Sequence, residues 1–137
     1  MPPISFLAIA MAFATELVAD WIIQMLLFML FAGDQMHTGM SEEEYQALVQ
    51  SVLQTTALPH WVMAFGLATT VGGAYLAARI AKRIPYYHGL AMGIVGIIYI
   101  VAASDELDGQ AWLGILVTIP LSLFGAHLAR KHLPVES

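Results

Sequence analysis

ISFLAIAMAFATELVADWIIQMLLFMLFA, residues 4 to 32, decides the class of this chain. It is apolar for longer than the thickness of a bilayer requires, and it carries only two charged side chains, Glu16 and Asp20. The hydrocarbon core of a membrane is about 30 Å thick and a helix rises about 1.5 Å per residue, so about 20 mostly apolar residues make a span. Working outward from this stretch, the same test places spans at about 4 to 32, 60 to 82, 86 to 104 and 110 to 130. Of 137 residues, 59% are hydrophobic and 11% charged, against about 25% charged in ordinary soluble domains. The expected fold is an all-α integral membrane four-helix bundle forming a single transmembrane domain over 1 to 137. The first apolar stretch lacks a basic leader region and holds two carboxylates, so it reads as a retained span rather than a cleaved signal.

Charge sets the expected orientation. All five Lys and Arg residues fall in two places, Arg79, Lys82 and Arg83 after the second span and Arg130 and Lys131 after the fourth. The positive-inside rule makes that side cytoplasmic, with both termini inside. Asp34, Glu42, Glu43, Glu44, Asp105, Glu106 and Asp108 fall on the other side. Trp61, Trp112, Tyr86 and Tyr87 stand at span starts, where amphipathic rings suit the headgroup layer. A net charge of −5 argues against nucleic acid as a partner. The lipid bilayer is the expected partner, together with a homo-oligomer or a larger membrane complex.

Between the first two spans, Ser41 and Glu44 form an S-x-x-E capping box, followed by Tyr45, Leu48, Val49, Val52 and Leu53 at helical spacing. The pattern predicts a short amphipathic helix in the outer loop, as a cap on the bundle or as a lid.

Small residues mark the expected packing faces, because helices in lipid associate by close backbone approach. They are Gly66, Thr70, Gly73, Ala77 and Ala81 in the second span, Gly89, Gly93 and Gly96 in the third, and Gly114, Thr118, Ser122, Gly125 and Ala129 in the fourth.

The first span holds the feature that packing leaves unexplained. Ala8, Ala12, Glu16, Asp20 and Gln24 recur at intervals of four, which puts both carboxylates on one stripe. A charged residue at the centre of a span costs about 2.5 to 3.5 kcal/mol on insertion scales. By depth, Thr69, Thr70, Tyr99, Thr118 and Ser122 stand where their hydroxyls could satisfy these carboxylates. Pro120 cannot donate to the carbonyl of Leu116, which frees another acceptor. Such oxygens suit protons or hard cations, or serve as hydrogen bonds between helices.

His37, His60, His88, His127 and His132 share no metal-binding spacing and read as interfacial side chains, with His127 pointing away from the small-residue stripe of its helix. Cysteine is absent, which removes thiolate metal sites and disulfides. No cofactor or metal is expected, and no nucleophile, phosphate-loop or dinucleotide motif indicates an enzyme.

The segment TVGGAYLAARIAKRIPYYHGLAMGIVG, Thr70 to Gly96, resembles the central part of uncharacterised families of small bacterial inner-membrane proteins. The matching positions are Gly72, Gly73, Ala77 or Ala78, Arg79, His88 and Gly89. The resemblance implies a cell inner membrane location and no particular activity. In placing a carboxylate within the first of four spans, the chain is also similar to the small multidrug resistance transporters, with Glu16 as the matching residue. That likeness implies alternating binding of protons and cations, but the long loop after the first span departs from the family's pattern.

Two functions follow as expectations. One is an accessory or structural subunit of a larger or homo-oligomeric membrane assembly. The other is a small proton- or cation-coupled transporter or channel using Glu16 and Asp20.

Overall fold

The computed structural model describes residues 4 to 133. They form five helices: α1 (Phe6–Ala32), α2 (Glu42–Thr55), α3 (Leu58–Ala81), α4 (Pro85–Ala103) and α5 (Gly109–His132). Four of these, α1, α3, α4 and α5, are long and apolar enough to cross a membrane. Even the 19 residues of α4 rise about 28 Å. The chain is a multi-pass membrane protein by the length and composition of these helices.

Helix ends fall within a few residues of the sequence expectation, and local chemistry accounts for the shifts. Helix α1 stops at Gly33, whose N–H bonds the Met29 carbonyl at 2.9 Å and whose Cα leaves no room for a Cβ beside that oxygen. Helix α3 starts at Leu58, earlier than expected, because the Thr56 hydroxyl accepts the Leu58 N–H at 3.2 Å. Helix α5 opens on Asp108, which accepts the Ala111 N–H at 2.8 Å, and runs on to His132. Its last turn carries Arg130, Lys131 and His132, the charge that a helix C-terminus favours.

The chain divides into two compact units. One joins the segment ending at Val18 to the segment beginning at Leu67. Its core packs Ile9 and Ala12 of α1 with Ala74 and Ala77 of α3 and Met92 of α4, while Ala78 of α3 meets Ala126 and Ala129 of α5. Mostly alanine, this core gains from close backbone contact rather than from large buried side chains.

The other unit, Ala19–Gly66, holds the second half of α1, α2 and the start of α3. Leu48 and Val52 of α2 close on Ala32 and Leu58, and Tyr45 stands edge-on to Phe28 at 6.0 Å. Both halves of the capping box are made: Glu44 N–H to Ser41 Oγ at 3.2 Å, and Ser41 N–H to Glu44 Oε2 at 2.8 Å. The hydrogen bond from the Ser41 backbone, then that to its side chain, hold the Glu44 carboxyl below its ordinary value of 4.5.

Candidate functional site

Glu16 is half-buried on α1, where it meets Gly73 of α3. A Cβ on Gly73 would overlap Glu16 Oε2 and lie 3.2 Å from Met92 Cε. A side chain at this position would make the Glu16 carboxylate move, and the buried alanines Ala74 and Ala77 flank it. The carboxylate therefore faces protein at the α1–α3 seam. Glu16, Asp20, Thr69 and Thr70 each make an interaction within the fold. Asp20 and Gln24 lie further along α1, in the second unit, with Asp20 half-buried and Gln24 exposed.

Two of the hydroxyls expected beside the carboxylates, those of Thr118 and Ser122, have their contacts on α4 and α5. Thr118 is 5% exposed, and its Oγ1 donates to the Gly114 carbonyl of its own helix at 2.6 Å. Ser122 is fully buried, and among the described residues its Oγ has no hydrogen-bond partner. Both belong to the seam between α4 and α5. There a Cβ on Gly89 would fall 2.6 Å from Ala126 Cβ and 2.8 Å from the Ser122 carbonyl oxygen. One on Gly93 would fall 2.8 Å from Ile119 Cδ1, and one on Gly96 would lie 3.2 Å from Thr118 Cγ2. Tyr99 is half-exposed and stands edge-on to Phe13 at 5.8 Å.

Gly125 closes a third seam, where a Cβ would overlap the Val71 carbonyl oxygen of α3. Gly114 makes ordinary contact, its Cβ position lying 3.5 Å from Ile100 Cδ1. At Gly66 and Gly72 an added Cβ would meet nothing within 4 Å. On α3, Ala64, Ala68 and Gly72 recur every four residues and all three are exposed. This stripe lies apart from the Gly73–Ala77 face that packs inward.

Histidine is where the structure corrects the sequence reading. His88 is 1% exposed, so it is a core residue rather than an interfacial one. Its Nε2 accepts the Ser5 N–H at 3.0 Å, and its Nδ1 lies 3.2 Å from the Ile84 carbonyl. A backbone N–H can only donate and a carbonyl can only accept, so both ring nitrogens have assigned roles: Nδ1 bears the proton and Nε2 the lone pair. The signal in the sequence was position, since His88 precedes the buried Met92 by one helical turn. His127 is exposed as expected, but it bonds the Tyr86 hydroxyl at 2.8 Å instead of facing only headgroups or another chain.

The basic residues gather at one end of this unit. Arg79 Nη1 donates to the His132 carbonyl at 2.6 Å, capping α5, with the guanidinium 6.0 Å from the Tyr75 ring centre. It is thus committed to the helix end and not to the Glu16 carboxylate. Arg130 lies 5.8 Å from the Tyr86 ring centre. Among the described residues, no group of three or more His, Asp or Glu side chains could hold a metal ion. Comparison of the chain with protein families, with characterised proteins and with solved structures finds no match, so neither family likeness carries an argument beyond the residues themselves.

Proposed function

We propose that this protein is a packing subunit of a membrane assembly, either a homo-oligomer or a larger complex, and that the exposed face of α3 is the surface it offers. One observation carries the reading. Gly89, Gly93 and Gly96 of α4 and Gly114 and Gly125 of α5 are occupied inside the chain, whereas Ala64, Ala68 and Gly72 form a small-residue stripe that stays exposed. Small residues every four positions let a second helix approach closely in lipid, where apolar side chains gain nothing by leaving their surroundings. Gly73 supports the same view of Glu16, as a carboxylate packed against a helix backbone.

The basic end of the bundle supports a cytoplasmic placement for both termini, with α2 on the opposite side of a bacterial inner membrane. A cysteine at Arg83 should resist an impermeant external reagent and one at Glu43 should react; the reverse pattern would invert the topology.

The test of the assembly is a cysteine at Ala68, oxidised in native membranes, with or without Gly72→Leu. Cross-linked species, either a dimer of this chain or an adduct with another membrane protein, should form and be lost with the leucine. The absence of both kinds of cross-linked species in native membranes would overturn the proposal.

A further inference from the structure

The connection from α3 to α4 is three residues long, Lys82, Arg83 and Ile84, and two of them have backbones in the left-handed region. Lys82 has φ +55° and Ile84 has φ +35°. A branched side chain at positive φ is a backbone outlier, and such strain concentrates at binding and switch sites. Pro85 contributes to it, because the residue before a proline is pushed out of the ordinary helical region.

This turn separates two clefts. One, of about 360 Å³, is lined by Ile4, Ser5, Ala81, Arg83 and His88. The other, of about 290 Å³, is lined by Arg79, Lys82, His132 and Leu133. Lys82 and Arg83 are exposed, and among the described residues neither pairs with a carboxylate. The first cleft offers the guanidinium donors of Arg83 and the hydroxyl proton of Ser5, whose oxygen already accepts the Ala8 N–H. His88 adds no further group, since both its nitrogens are engaged. The second cleft adds the Lys82 ammonium and the Arg79 N–H groups not spent on His132. Among the described residues, no carboxylate lines either cleft.

A strained turn flanked by donors and cations, joining two membrane-spanning helices, must lie at headgroup depth. We infer that each of these clefts holds the phosphate of an anionic phospholipid headgroup, engaged by Arg83 in the first cleft and by Lys82 in the second. Basic pockets between helix ends recognise such headgroups. Arg83 grips two phosphate oxygens at once through its planar fork, and Lys82 acts as a point charge. The inference rests on the membrane-spanning fold and not on the assembly proposed above.

The full chain, purified in detergent, would be titrated with phosphatidylglycerol or phosphatidylcholine and read by native mass spectrometry and by thermal unfolding at 150 mM salt. Phosphatidylglycerol should remain bound in whole-number stoichiometry and raise Tm, and phosphatidylcholine should do neither. Each basic residue contributes roughly a fivefold change in affinity, so Lys82→Gln with Arg83→Gln should weaken retention about fivefold at each cleft. Both side chains are exposed, so the variant should fold, which its unfolding curve without lipid would verify. Arg130→Gln with Lys131→Gln removes the same charge outside both clefts. Neither side chain lines a cleft, and attraction between exposed charges is weakened by screening at that salt, so this control should stay within about twofold of wild type. An equal loss in the control would reduce the effect to general surface attraction and overturn the site. Glycerol phosphate or inorganic phosphate matching the Tm shift at equal concentration would overturn the lipid assignment in favour of a soluble anion.

Discussion

The His88 imidazole accepts the backbone N–H of Ser5 across 83 residues of sequence, tying the entry of α1 to the start of α4. Ser5 precedes the first turn of α1, where backbone donors have no partner within the helix. His88→Ala would leave that donor unmet beside a small cavity, costing about 1 to 3 kcal/mol. The fall in Tm should be accompanied by faster hydrogen exchange at the amides of residues 5 to 9. His127→Ala, which removes an exposed contact to Tyr86, should cost well below that. Equal effects at the two histidines would mean that the Ser5 bond contributes nothing.

Gly93 and Gly72 should respond oppositely to enlargement. Gly93→Ile drives a branched side chain into Ile119 and Ser122, and overpacking of this kind costs about 1 to 3 kcal/mol. Gly72→Ile meets open space within the chain and should leave the monomer's stability in detergent nearly unchanged while reducing association. Scanning calorimetry and size-exclusion light scattering separate the two quantities.

Glu16 tests the choice between packing and transport. Glu16→Gln with Asp20→Asn keeps hydrogen bonding and removes both titratable charges. A packing subunit should retain its stability and show no proton or cation flux in liposomes before or after the change. Gly73→Ala, by contrast, forces the Glu16 side chain to move and should alter stability only if that carboxylate is held in place by its own interactions. A wild-type flux abolished by the double variant would favour the transporter reading.

Glu44 gives the N-terminus of α2 a pH dependence. Its carboxyl is held below 4.5 by the Ser41 bonds, so ionised Glu44 stabilises the fold above that pH, and the contribution fades as acid protonates it. Exchange of the first α2 amides should quicken as pH falls below about 4.5, once corrected for intrinsic rates. Glu44→Gln should flatten that dependence, and Ser41→Ala should cost about 1 kcal/mol at neutral pH. An unchanged profile in Glu44→Gln would assign the acid sensitivity to another group.

Much of the architecture was legible because lipid imposes one severe rule: backbone groups must be satisfied within the segment, so a long apolar run has to be a helix. The ends of α3 and α5 shifted because Thr56 and Asp108 supply caps that hydropathy does not register. The site was legible in kind and not in arrangement. Spacing identified Glu16 as a costly residue, and glycine intervals identified close faces, but an interval does not say which helix fills the space. Glu16 thus meets Gly73 at one seam, while Thr118 and Ser122 occupy another. His88 was misread because a histidine near a span end resembles a headgroup anchor, and its burial depends on a Ser5 donor far away in the chain.

The segment after α1 has a practical use that follows from its backbone. Residues 33 to 39 are all exposed, and Gly39, at φ +92°, has nothing within 4 Å of where a side chain would begin. An epitope or a fluorescent domain spliced in at Gly39 would disturb few contacts, because exposed loop tips with small residues tolerate foreign sequence. The three-residue connection between α3 and α4 offers no equivalent opening, since its strained geometry is set by the helices on either side. Reporter fusions for imaging this protein in living cells therefore belong at residue 39.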